Sequence, residues 1–423
     1  MLLMDDRKTI LEILGRSPIH PFPARMAPGI ALEALGTSTT PLRVLDPMAG
    51  SGTVLAVARA NGHRAFGYDL DPLAVLLAGV WTRTVEPEAV TDKATEVLAK
   101  ARQKFSTLTS GFAYPANSDK ATQKFIRYWF DDYARRQLAA LASTIGVVQD
   151  ESVRDALWCG FSRLIITKQA GASLAMDLSH SRPHLTFETA PVKPFNKFKS
   201  AVETVVANCP QKGQGDAVGP VAVMKHGDAR RMGIEAESID LVLTSPPYLN
   251  GIDYIRCSKF SLVWMGHSVE DLREIRADSV GAELASKEAL EASWVKDVIT
   301  ALELSPKLSA RNYAMLSRYV WDMGKALGEV SRVLRKGGRA VYVVGDSTTR
   351  GTFISNSTIV AAVAEAQGLT LRSRESRILP ANRRYLPPPR RGAAETEMDA
   401  RLRQEVVVVL DKPAAKSSVA CVS

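Results

Sequence analysis

The chain has 423 residues, 46% of them apolar and 23% charged, with a formal net charge of +9. This length suits one large domain with an insertion, or two domains. The moderate basic bias is compatible with a polyanionic partner. No stretch reaches the roughly 20 apolar residues of a membrane helix. The acidic residues near the N-terminus argue against a signal peptide. Four cysteines, Cys159, Cys209, Cys257 and Cys421, include no C-x-x-C pair, which disfavours a zinc knuckle or disulfide framework and fits a reducing cytoplasm.

Residues 42–85 alternate between strand and helix patterns. "LRVLD" reads as a short apolar strand, and "GTVLAVARANG" as a helix stopped at Asn61-Gly62. "RAFGYDL" is the next strand and "DPLAVLLAGVW" the next helix. Such alternation predicts parallel strands with right-handed crossovers. Residues 86–218 then read as a mostly helical insertion carrying Tyr128-Trp129-Phe130 and the polar stretch "SHSRPH". His180 and His184 in that stretch have no acid or cysteine between them, so no metal site is expected.

Strand patterns resume with "VAVMKHGDA" (221–229) and "IDLVLTS" (239–245). A second, charged helical insertion spans about 266–310. "LSRYVWDMGKALGEVSRVLRKGG" (316–338) predicts a helix stopped by Gly337-Gly338, and "RAVYVVGDS" (339–347) a strand. "STIVAAVAEAQG" is a helix; "LTLRSRESRIL" and "EVVVVLD" (405–411) can form a closing pair of strands. The fold expected is α/β: a seven-stranded, doubly wound, Rossmann-like sheet with a mostly helical insertion. The parts are 1–85, the insertion 86–218, 219–411, and a disordered tail over 412–423.

The turn "DPMAGSGT" lies between the first strand and the first helix. Gly50 and Gly52 remove side chains where a ligand can approach the backbone. The helix that follows offers free N–H groups and a partial positive charge. A phosphate-binding P-loop is excluded because no lysine follows Gly52, and a dinucleotide fingerprint because Leu55 stands at its third glycine. S-adenosylmethionine suits the turn better. Asp46, with Pro47, would face the ammonium end of that ligand, and an acid there opposes a pyrophosphate. Ala49, Ser51 and Thr53 complete the loop. Asp69 ends the second strand, 19 residues after Gly50, where an acid can accept both ribose hydroxyls. Asp71 competes for that role or caps the next helix. Asp228, after the third strand, could accept from an adenine amino group, with Leu70 and Ala229 beside these acids.

The fourth strand runs into Ser245-Pro246-Pro247-Tyr248. Prolines cannot continue a central strand, and they stiffen the turn that presents a hydroxyl, carbonyls and an aromatic face. In an open α/β sheet, ligands bind beyond the carboxyl ends of the strands. The corner suits a planar substrate with an amino group. Tyr248 would stack on the ring, while Ser245 and the Pro246 carbonyl each accept one N–H. A base within a duplex would have to be flipped out to reach it.

These motifs resemble the amino-methylating DNA methyltransferases, which make N4-methylcytosine or N6-methyladenine. "DPMAGSGT" resembles their cofactor loop, "GYDLDP" their second motif and "TSPPY" their catalytic tetrapeptide. "HPFPARMAP" (20–28) is similar to the segment that closes over the methionine end of the cofactor, which implicates Phe22 and Pro23. The resemblance implies methyl transfer by in-line displacement on a flipped base of double-stranded DNA. A serine heading the tetrapeptide points to cytosine N4. Adenine N6, an RNA base or a protein glutamine are the alternatives, and a cognate restriction endonuclease can accompany such an enzyme. Cytosine C5 chemistry needs a cysteine nucleophile, typically after proline, and no Pro-Cys pair occurs. The gap of about 200 residues between cofactor and catalytic motifs departs from the usual motif orders. Residues 86–218 are thus either a target-recognition region or a packing or dimerisation subdomain. The stretch 371–392 holds seven arginines and four prolines. Arg383, Arg384, Arg390 and Arg391 are expected to contact the DNA backbone.

Overall fold

A computed structural model describes residues 8–23, 25–36, 38–179, 183–211, 222–249, 254–282, 286–303, 308–349, 352–378 and 404–414. Among the described residues there are nine strands: β1 (Arg43–Asp46), β2 (Arg64–Asp69), β3 (Val223–His226), β4 (Ile239–Thr244), β5 (Leu334–Val344), β6 (Ser347–Thr349), β7 (Thr352–Ile354), β8 (Thr370–Ile378) and β9 (Gln404–Asp411). All but β6 and β7 belong to one mixed sheet of seven strands, as expected; β6 and β7 form a separate antiparallel hairpin. The chain divides into two compact units, one of residues 1–33, 49–226 and 253–278, the other of 34–48, 227–252 and 279–423.

In the first unit β2 and β3 pair in parallel, from Phe66↔Val223 to Asp69↔His226. Most of this unit is helical. Helices Lys120–Trp129, Asp132–Ile145 and Glu151–Ile165 each start where an aspartate, Asp119, Asp131 or Asp150, accepts a backbone N–H of the first turn. Their apolar faces meet around Trp81, Phe130, Phe161, Phe198, Phe260 and Trp264, all nearly closed to solvent. Helix Glu151–Ile165 passes close to helix Pro194–Ala207 at Gly160, where an added Cβ would lie 2.5 Å from Cγ2 of Val202.

In the second unit the strand order is β1-β4-β5-β9-β8. β1, β4 and β5 are parallel, with Leu45↔Val242 and Thr244↔Tyr342 in register. β9 runs antiparallel to both β5 and β8. Buried parallel strands lose polar alternation, and Leu241–Leu243 and Ala340–Val344 are buried throughout. The helix expected over 316–338 instead spans Ala310–Val333, and β5 begins at once at Leu334. The glycine pair therefore belongs to the strand. Leu334 pairs with Ile239, Arg335 forms an ion pair with Asp240 at 2.5 Å, and the Gly337 N–H donates to the Lys412 carbonyl at 3.0 Å. Sheet partners win over the local helical pattern, and Gly337, at φ 75°, absorbs the irregularity.

Among the described residues, no helix is long and apolar enough to cross a membrane, and no group of three or more His, Cys, Asp or Glu could hold a metal ion. Arg383, Arg384, Arg390, Arg391, His180 and most of the tail lie outside the described residues.

Candidate active site

The glycine turn and the end of β2 come together in the first unit. Gly50 and Gly52 are both left-handed, at φ 50° and 85°. Gly50 donates its N–H to Asp69 Oδ2 at 2.8 Å, and Asp71 donates its N–H to Oδ1 at 2.9 Å. The Ala49 N–H donates to the Tyr68 carbonyl at 2.9 Å. Each oxygen of Asp69 thus accepts one backbone N–H, and a carboxylate oxygen has a second acceptor position. Burial raises the pKa of Asp69, and the N–H donors from Asp71 and Gly50 pull it back. Helix Thr53–Ala60 begins at Gly52 without a side-chain cap, so its first N–H groups receive no side-chain acceptor there.

Asp71 takes the capping role. Its Oδ1 accepts the Leu73 N–H at 2.9 Å, and Oδ2 accepts the Ser258 hydroxyl. Burial first, and the charge of Asp69 second, push its pKa up to about 7. Phe22 borders the turn, with its Cε1 3.9 Å from where a Cβ on Gly50 would stand, and its ring stacks on Tyr254 at 6.1 Å. Arg25 Nε donates to Ser51 Oγ at 3.1 Å. His226, at the end of β3, contacts the Leu70 carbonyl through Nε2 at 3.0 Å.

In the second unit, Asp46 ends β1 beside the end of β4. Its Oδ1 accepts from Thr244 Oγ1 at 2.7 Å and from the Met48 N–H at 3.1 Å. Asp46 is 3% exposed and Thr244 fully buried. The next residue is Ser245, which opens the expected corner as β4 stops at Thr244. The Ser245 hydroxyl donates to the Val343 carbonyl at 2.9 Å, leaving its lone pairs as acceptors. Tyr248 places its hydroxyl 3.5 Å from Ser245 Oγ and donates to Glu405 Oε1 at 3.4 Å. Its ring lies over Gly345, where an added Cβ would meet Cε2 at 2.7 Å.

Asp228 lies in the same unit, with Ala229 buried beside it. Its carboxylate is gripped by Arg230, whose Nε and Nη2 donate to both oxygens at 2.7–3.0 Å. Arg230 also bridges to the buried Asp322 at 2.7 Å. An adenine amine would have to share Asp228 with this guanidinium. Sequence reasoning missed Val343, Gly345 and Glu405, which touch the corner. A glycine just past a strand end was the one available signal, at Gly345.

No family model matches the chain. It is 22% identical over 364 residues to the Type II methyltransferase M.MvaI of Kocuria varians, covering 81% of this chain and 79% of that one. It is 31% identical over 103 residues to the Type II methyltransferase M.BsoBI of Geobacillus stearothermophilus, covering 24% and 19% of the two chains. Among solved structures, a SAM-dependent methyltransferase of Methanosarcina mazei aligns with 89% of this chain and 95% of that chain, at 9% identity and a TM-score of 0.30.

Proposed function

We propose, for a chain that belongs to the DNA methyltransferase family, that it transfers the methyl group of S-adenosylmethionine to an exocyclic base amine of double-stranded DNA, cytosine N4 in particular. The observation that carries this reading is the hydrogen bond of Thr244 to Asp46. It fixes the acid that would meet the cofactor's ammonium group beside the corner that would hold the amine.

The residues of the glycine turn fit the cofactor. The uncapped start of helix Thr53–Ala60 suits a carboxylate. The remaining acceptor positions of Asp69 suit a pair of ribose hydroxyls, and backbone donors already hold its carboxylate still. Phe22 and Pro23 would cover the ligand. Bound S-adenosylmethionine supplies a methyl group on a positively charged sulfonium, open to displacement by an amine.

The corner supplies position and hydrogen-bond polarity. An amine conjugated to a base ring is a weak nucleophile because its lone pair is delocalised. With its own proton committed to Val343, Ser245 accepts one amine hydrogen, and the Pro246 carbonyl accepts the other. Both pull the nitrogen toward tetrahedral geometry, and Tyr248 stacks on the ring. Orientation carries much of the rate. Held this way, the nitrogen would be in line to take the methyl group as its bond to sulfur broke, and the surplus amine proton would leave to solvent. The target base is flipped from the duplex to reach this corner. Cys257 is buried, and burial raises its thiol pKa, which disfavours the thiolate that cytosine C5 chemistry requires. A cognate restriction endonuclease is part of this proposal, and the Type II names of the relatives are in keeping with it.

The test is incubation with labelled S-adenosylmethionine and, in parallel, DNA, RNA and protein, followed by digestion and identification of the product. N4-methylcytosine from DNA is expected. N6-methyladenine would change the base, label on RNA or on glutamine would change the substrate class, and no transfer would overturn the proposal.

A further inference from the structure

Tyr248, Glu405 and Arg377 form a connected chain of hydrogen bonds in the second unit. Arg377 on β8 and Glu405 on β9 are register partners. Arg377 donates to Glu405 Oε2 through Nε at 3.1 Å and Nη2 at 2.5 Å, with side-chain exposures of 4% and 13%. The other oxygen, Oε1, accepts the Tyr248 hydroxyl at 3.4 Å. The phenol oxygen also lies 3.5 Å from Ser245 Oγ.

A phenol has one proton to donate, and among the described residues Glu405 and Ser245 both lie within reach of it as acceptors. An ionised carboxylate only accepts, so Glu405 holds the proton away from Ser245. Ser245 in turn spends its own proton on Val343. Both lone pairs of the serine oxygen are then left for a substrate amine. If the phenol turned its proton to Ser245, one of those lone pairs would be occupied, and the single amine hydrogen would be confined to the other, whatever its alignment.

We infer that Glu405, oriented by Arg377, is a positioning residue that keeps both acceptor positions of Ser245 open by drawing off the Tyr248 proton, so that the amine hydrogen meets the better-aligned of the two. The inference rests on the transfer reading above. Neither residue stands in the corner motif. They are 28 positions apart in sequence and flank the stretch 379–403.

Glu405→Gln tests it. Arg377 donates twice to one oxygen, so the amide oxygen is drawn to that side and the NH2 faces the phenol. The phenol then accepts, and its proton turns to Ser245. The expected result is a loss of about tenfold in kcat, with KM for DNA and for the cofactor changed by less than about twofold. In a Tyr248→Phe background, where no proton can turn, Glu405→Gln is expected to change kcat by less than about twofold. Glu405→Asp keeps the charge and the Arg377 pair but draws the carboxylate back from the phenol. It should show a similar loss, also suppressed by Tyr248→Phe, and it serves if the amide variant does not fold. A wild-type rate in Glu405→Gln or Glu405→Asp, or losses that multiply in the double variants, would overturn the inference while leaving the transfer reading intact. No transfer by the wild-type chain would remove both.

Discussion

Thr244 Oγ1 donates to Asp46 Oδ1 across 2.7 Å, and the two residues stand 198 positions apart in the chain. Neighbouring parallel strands make this possible, because Val44↔Leu241 and Leu45↔Val242 bring the ends of β1 and β4 level. Thr244→Val keeps the shape and removes the donor. A hydrogen bond to a charged group contributes about 1.5–3 kcal/mol, so urea unfolding should show a loss of that order. On the proposed reading, KM for S-adenosylmethionine should rise more than kcat falls. A rise confined to KM for DNA would place Asp46 elsewhere in the reaction.

Gly50 and Gly52 have different reasons for being glycine, and alanine should separate them. At Gly52 a Cβ would lie 2.7 Å from the Ala78 Cβ and 2.9 Å from its Cα, and φ is 85°. Backbone in the neighbouring helix cannot yield cheaply, so Gly52→Ala should cost several kcal/mol or prevent folding. At Gly50 the nearest atom is 3.9 Å away, leaving only left-handed strain of about 1–2 kcal/mol. Gly50→Ala should therefore fold and still lose affinity for S-adenosylhomocysteine by calorimetry. Unchanged affinity would show that no ligand approaches this backbone.

Asp71 should give stability a recognisable pH dependence. Burial and the charge of Asp69 hold its folded pKa at about 7, against about 3.9 for an unfolded aspartate. Between these values the folded state keeps a proton that the unfolded state has lost. The group's stabilising contribution is therefore complete below about pH 4 and disappears as pH rises through about 7. Asp71→Asn keeps a capping oxygen and removes the titration. The difference in melting temperature, wild type minus variant, should fall steadily between about pH 5 and pH 8. A flat difference would mean that Asp71 is ionised throughout in the folded state.

Arg383 and Arg384 test the basic segment without reference to its conformation. Each phosphate contact contributes about 0.9 to the slope of log affinity against log salt on duplex DNA. Arg383→Ala with Arg384→Ala should flatten that slope by about 2 if both contact phosphates. A slope equal to that of the wild type would assign these arginines another role.

What could be read from the sequence was local. The apolar runs at β1 and β4, the left-handed glycines and the proline stop after Thr244 all follow from residue chemistry over a few positions. The reading failed where distant partners decided. Residues 334–338 have a helical pattern, yet Ile239, Asp240 and Lys412 draw them into β5. Helix Tyr254–Leu262 is not among the expected elements; it is nine residues long, and serine and cysteine stand among its buried positions. Asp228 looked like a ready acceptor, but nothing in its neighbourhood announced that Arg230 also reaches Asp322, 92 positions on. The Glu405–Arg377 pair likewise exists only through strand register.

Gly345 offers a further test of the corner, because it lies beneath the aromatic ring that would hold the target base. Asn356 Nδ2 donates to its carbonyl at 2.8 Å, which fixes the backbone under Tyr248. A methyl group at Gly345 would come within 2.7–3.2 Å of three ring carbons. The ring is partly exposed and can swing, so Gly345→Ala should cost little stability, about 1 kcal/mol. It should nonetheless disturb the stacking surface and lower kcat by about tenfold or more, given how steeply rate depends on alignment. Asn356→Ala should do the same more weakly by releasing the carbonyl. With 2-aminopurine at the target position, Gly345→Ala should also reduce the fluorescence change that accompanies base extrusion. If kcat and the fluorescence change both match those of the wild type, the ring of Tyr248 does not hold the base.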